Sequence, residues 1–231
     1  SEKNYLFGEG PVDLIRYVSF VNVNDTINEF IMDFELLQKN VQRILQETDN
    51  TTITFINTFN LLSLTSLREY LQWILELRDQ YAKDVQGTKY IPIPDNGDHK
   101  HPDYEIKPKQ RIWFDIPLLR APLWQCIQIL PQQYEDYLEE AIVFMELNQA
   151  NEVNIDYRGF KDFEIDKVRR NLAWMKEGRK MSQDELNRAR ANFSKFFTQH
   201  DTRRNTDFLA TYPEMEDWWN MCEQAEALIG E

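Results

Sequence analysis

Residues 51 to 60, TTITFINTFN, alternate into the pattern of a buried β-strand, and residues 63 to 81, SLTSLREYLQWILELRDQY, carry apolar side chains three and four apart, as a helix does. A strand followed directly by a helix is the unit of a parallel sheet, because parallel strands cannot be joined by a hairpin and need a crossover. The unit also directs attention to one place in the chain. Open parallel sheets and β/α barrels gather their ligand sites at the carboxyl ends of strands, and this strand closes on Asn57, Thr58 and Asn60.

The rest of the chain fits around that unit. Gly8, Gly10 and Pro11 mark a turn before IRYVSFVNV at 15 to 23, which reads as the first strand. Asn24 or Asp25 can cap the following helix, whose stripe runs Ile27, Phe30, Ile31, Phe34, Leu37, Val41, Ile44 and Leu45, with a bend or restart near Asp33. Asp49 and Asn50 turn the chain into the second strand, and Ser63 or Thr65 is expected to start the next helix, with Glu69 in its first turn. Residues 83 to 110 are polar and broken by Pro and Gly, an irregular insertion of the kind that forms lids or mobile segments. RIWFDIPLL at 111 to 119 is continuous enough in apolar character to be a strand covered on both faces, and Pro117 stops its ladder. LWQCIQIL at 123 to 130 alternates and is read as a short further strand; Pro131 then opens a helix over 132 to 148. Beyond residue 160 only helices are expected, at 160 to 177, 182 to 199 and 213 to 228. The expected architecture is an α/β fold. A partial (β/α) barrel of three to four mainly parallel strands occupies residues 1 to 150, with the polar insertion at 83 to 110, and a helical C-terminal extension at 151 to 231 packs on it.

Composition excludes some functions. With 42% hydrophobic residues, 14 Phe, 10 Tyr and 6 Trp in 231 positions, the chain can build a core and is neither disordered nor fibrous. A net charge of −13 opposes binding to a phosphate backbone, so no nucleic-acid partner is expected. The charge is uneven: residues 158 to 204 hold 13 Lys and Arg against 7 Asp and Glu. That stretch reads as solvated helix faces pairing with an acidic body, or as a patch for an anionic partner. Cys126 and Cys222 have no metal-ligand spacing, and no 18 apolar residues run together, so neither a disulfide framework nor a membrane span is expected. With no leader pattern at 1 to 17, the cytoplasm is the simplest compartment.

The leading candidate site is the set of polar residues at strand ends: Ser19, Asn22 and Asn24, then Asn57, Thr58 and Asn60, then Asp115 and Arg120. Inside a covered sheet such groups cost about 1–3 kcal/mol each if unpaired, so they either cap helices and brace loops or line one cavity. His99, His101 and Asp103 in HKHPD could bind a metal, but a solvated loop is the better account of them and no metal site is expected; His200 lies in a charged helical stretch. No glycine-rich phosphate loop or nucleophile elbow occurs. In FFTQHDTRRNTDFLATYPE at 196 to 214, Asp201, Arg203, Arg204 and Asp207 can fasten a terminal helix or hold a carboxylate, while Trp218 and Trp219 beside Cys222 read as packing residues.

Taken together, YVSFVNVNDTINEF, TITFINTFNLLSLTSLREYLQWILEL, RIWFDIPLLRAPLWQCIQILP and FSKFFTQHDTRRNTDFLATYPE resemble the C-terminal part of radical S-adenosylmethionine proteins of the twitch-domain group, over about residues 15 to 220. In that family a partial (β/α)₆ barrel carries a [4Fe–4S] cluster on a Cx₃Cx₂C loop after its first strand, and later strands complete the S-adenosylmethionine pocket. Cx₃Cx₂C is missing from this sequence, so the resemblance implies that a cluster is supplied by another chain. YVSFVNVND then corresponds to the family's fourth strand. Ser19 and Asn22 match positions that contact the cofactor's methionyl or ribose part, with VNVN at 21 to 24 replacing the acidic residues common there, and Asn57 and Thr58 match the strand bordering the adenosine. Asn60, Asp115 and Arg120 fall on the substrate side. The implied role is that of a fragment or split subunit of a radical S-adenosylmethionine enzyme, walling the cofactor and substrate pocket and inactive without a cluster-bearing N-terminal partner chain, or self-associating. The alternative is a non-catalytic scaffold that uses an open sheet edge to bind another protein.

Overall fold

The computed structural model describes residues 15–20, 34–48, 51–81, 111–150 and 158–229. Three strands, β1 (Ile15–Phe20), β2 (Thr52–Asn57) and β3 (Ile112–Asp115), form one parallel sheet in the order β1-β2-β3. The registers are regular, with Ser19 opposite Ile56 and Ile56 opposite Asp115. A bridge between Phe59 and Leu118 keeps the β2–β3 register beyond the strands themselves. The α/β character expected from the sequence is present; three strands alone do not close a barrel.

Alternation along β2 and β3 sorts the two faces. Ile53, Phe55, Ile112 and Phe114 are buried, whereas Thr54, Ile56, Trp113 and Asp115 are half-buried. Helix α2 (Leu67–Tyr81) covers the first face: the Trp73 ring lies 5.0 Å from that of Phe55, and the Tyr70 ring meets Phe114 edge-on at 6.1 Å. Each large side chain so covered contributes roughly 1.5–3 kcal/mol. Helix α1 (Phe34–Glu47) buries Val41 and Leu45, and its last turn is held by the guanidinium of Arg111, which donates to the carbonyls of Leu45, Thr48 and Thr51. A cation suits that place, because the carbonyls at a helix C-terminus have no partner within the helix.

Two local expectations fail. Neither Ser63 nor Thr65 caps α2. Asn60 caps instead, its Oδ1 accepting from the Leu62 and Ser63 amides and so opening a 3₁₀ turn at Leu61–Ser63, and α2 begins at Leu67. The expected strand at 123 to 130 is a pair of 3₁₀ turns, Leu123–Gln125 and Ile127–Ile129. The turns bury Cys126 to Leu130 together, Gln128 included, and no strand lies alongside to pair with them among the described residues. The cap at Asn24 or Asp25, the bend near Asp33, the insertion at 83 to 110 and the His99, His101 and Asp103 set lie outside the described residues.

Helix α3 (Glu135–Leu147) packs on α2 and α4 (Asp162–Glu177). At the end of α4, Gly178 sits so close to the 127–129 turn that a Cβ would come within 1.9 Å of the Gln128 carbonyl oxygen, and glycine alone fits. The tail then runs through α5 (Gln183–Arg204), α6 (Phe208–Thr211) and α7 (Glu216–Ile229). Ser182 and Glu185 form a reciprocal capping box at the start of α5, and Asn205 ends it in the left-handed conformation at φ 51°. α5 and α7 meet through Phe193, whose ring lies 5.5 Å from that of the fully buried Trp218. Trp124, after β3, stacks on Phe196 at 4.5 Å and joins the tail to the sheet layer. Among the described residues no helix is long and apolar enough to cross a membrane.

Candidate functional site at the carboxyl ends of the strands

The register brings the candidate residues of β2 and β3 together. Asp115 closes β3 opposite Ile56, and Asn57, Thr58 and Asn60 continue β2 past that point, alongside the segment that leads to Leu118. Ser19 belongs to the same row across the sheet as Ile56 and Asp115. Asn22 lies outside the described residues. Asn57 and Thr58 are half-buried, whereas Asn60 is buried and committed to its cap. Arg120 is exposed five residues beyond β3, with its guanidinium carbon 5.9 Å from the centre of the Trp174 ring on α4.

Helix α4 supplies a second set of residues that the strand pattern alone did not indicate. Lys167 makes an ion pair with Asp115 at 3.0 Å and donates to the Phe114 carbonyl at 3.2 Å. Asn171, 1% exposed, donates to the Ile116 carbonyl at 3.2 Å. One helical turn earlier, Glu164 is fully buried against Arg78 of α2, at 2.6 Å between Oε1 and Nη2. Arg78 also donates through Nε and Nη2 to the Ile112 carbonyl, at 3.1 and 3.0 Å, and through Nη1 to Gly159. These bonds share a logic. The amides of Ile53 and Phe59 take up the carbonyls of Arg111 and Pro117, so the odd-numbered carbonyls face β2. The even ones, Ile112, Phe114 and Ile116, point to the outer edge of β3, and Arg78, Lys167 and Asn171 each satisfy one of them. An edge strand with open carbonyls is a template for another chain, and here three side chains close it.

Burial pushes the Tyr70 phenol, which lies against this network, well above its ordinary value; the charge of Arg78 opposes that shift and those of Glu164 and Asp115 add to it. Sequence reasoning passed over the Arg78–Glu164 pair because the two residues are 86 positions apart on separate helices. The signal that was available is an arginine within the apolar stripe of α2, since an unpaired arginine is rarely buried.

In the tail, the charged motif is a set of caps. Asp201 accepts from the Phe208 amide at 2.8 Å and from the Thr206 hydroxyl at 2.7 Å, and Asp207 caps α6 through the Leu209 and Ala210 amides. Among the described residues Arg203 and Arg204 join no ion pair, so the expected fork between guanidinium and carboxylate is absent. His200 lies against Asp201 at 3.3 Å and stacks on Phe196. Part of the basic stretch pairs with the acidic body, through Arg169 with Glu146, Lys176 with Glu139 and Arg179 with Glu135, while Lys180 and Arg188 pair within the stretch.

The residues present do not fit an iron–sulfur cluster. The sequence has two cysteines, Cys126 follows β3 while Cys222 lies on α7, and both are fully buried. Burial pushes the Cys126 thiol up to about 11 and the Cys222 thiol higher still, the opposite of what a thiolate ligand requires. Among the described residues no three His, Cys, Asp or Glu side chains are grouped to hold a metal ion. Neither a protein-family model nor a curated protein nor a solved structure matches this chain.

Proposed function

We propose that this chain forms one wall of a radical S-adenosylmethionine-type pocket, as three strands of a (β/α) barrel whose cluster is bound elsewhere, on a partner chain. The observation that carries the reading is the asymmetry of the sheet. α2 covers one face, while the other, with Thr54, Ile56, Trp113 and Asp115, is half-buried and leads to the polar groups of Thr58 and Asp115, with Asn57 on the Phe55 side. A barrel wall needs that division, with helices outside and a partly polar inner face leading to the strand ends. The resemblance over about residues 15 to 220 supports the same assignment. Asn57 and Thr58 are the groups of this chain suited to hydrogen-bonding the cofactor, and Asp115 and Arg120 those suited to the substrate; the carbon-radical chemistry belongs to S-adenosylmethionine and to a cluster that these residues do not ligate. A second reading, a scaffold that binds another chain by strand addition, is favoured by one observation: among the described residues nothing pairs with the outer side of β1.

Hydrogen-exchange mass spectrometry at millimolar S-adenosylmethionine tests the first reading. Slower exchange is expected in peptides covering 57–60 and 115–120, and less slowing in Thr58→Val. Unchanged exchange at both strand ends removes the reading and leaves the scaffold. Stoichiometric iron–sulfur absorbance after anaerobic reconstitution of the chain alone would remove the need for a cluster-bearing partner.

A further inference from the structure

We draw no further inference here: the strongest candidate, the pair of buried side-chain atoms without a hydrogen-bond partner on α4, Asn171 Oδ1 and Trp174 Nε1, lies beside the edge of β3 already described, and nothing among the described residues shows what would meet it.

Discussion

The two edges of the sheet are finished differently. The outer carbonyls of β3 are taken up in order by Arg78, Lys167 and Asn171, two of them on α4 and one on α2. β1 pairs with β2 on one side, and among the described residues no strand lies along its other side. Side chains can therefore take up the carbonyls of an edge strand as the amides of another strand do, but only if helices place donors at two-residue intervals along the edge. On α4 the spacing of Lys167 and Asn171 by one helical turn achieves this, reaching carbonyls two residues apart on β3. The carbonyl edge of β3 is thus occupied, while among the described residues no strand pairs with the outer side of β1.

Arg78→Met tests this difference most severely. It removes the cation that neutralises the buried Glu164 and leaves the Ile112 carbonyl bare, with an expected loss of about 3–5 kcal/mol in chemical denaturation. A loss under about 1 kcal/mol would mean that the β3 edge is not fastened by this residue. Asn171→Ala is a smaller perturbation. It strips the Ile116 carbonyl of its donor and should cost about 2 kcal/mol, with sedimentation showing whether the exposed edge now recruits a second copy. The gentlest probe is residue-resolved amide exchange, which reads amides and not carbonyls: Trp113 and Asp115, whose amides face β2 in the parallel register, should exchange about tenfold more slowly than Phe114, whose amide faces the outer edge. Equal rates would show that the outer edge is closed at its amides as well as at its carbonyls.

The difference between the edges also explains what the sequence made legible. Patterns of period two and period 3.6 report burial along a single element, and so β2, β3 and the helices α2 to α5 and α7 lie within a few residues of their expected positions. The placing of Asn57 and Thr58 just past the Ile56–Asp115 pair, at the same end of neighbouring strands, follows from parallel order and strand position, and it too is readable in advance. The closure of β3 is not, because it depends on which carbonyls face outward and which distant helix passes the edge, and these are properties of register and packing. The 123–130 stretch failed for a related reason. LWQCIQIL alternates apolar and polar residues, but its burial does not: Leu123, Trp124 and Gln125 are half-buried, and Cys126 to Leu130, Gln128 included, are all buried in turns that pack on α5 and α4. In the tail, Asp201 and Asp207 were legible as important but were assigned to arginine partners, because side-chain capping of backbone amides competes with ion pairing and leaves no separate mark in composition.

Arg78 bonds to groups 34, 81 and 86 positions away along the chain. Its charge is sheltered only after all three segments have arrived, and each arrival closes a long loop at an entropic cost that the guanidinium's bonds offset together rather than one at a time. Folding of the sheet layer is thereby tied to the docking of α4, which lies beyond residue 150, and the transition is expected to be all-or-none across that point. A chain severed between residues 150 and 158 would have to reassemble from both pieces before either acquired its native core.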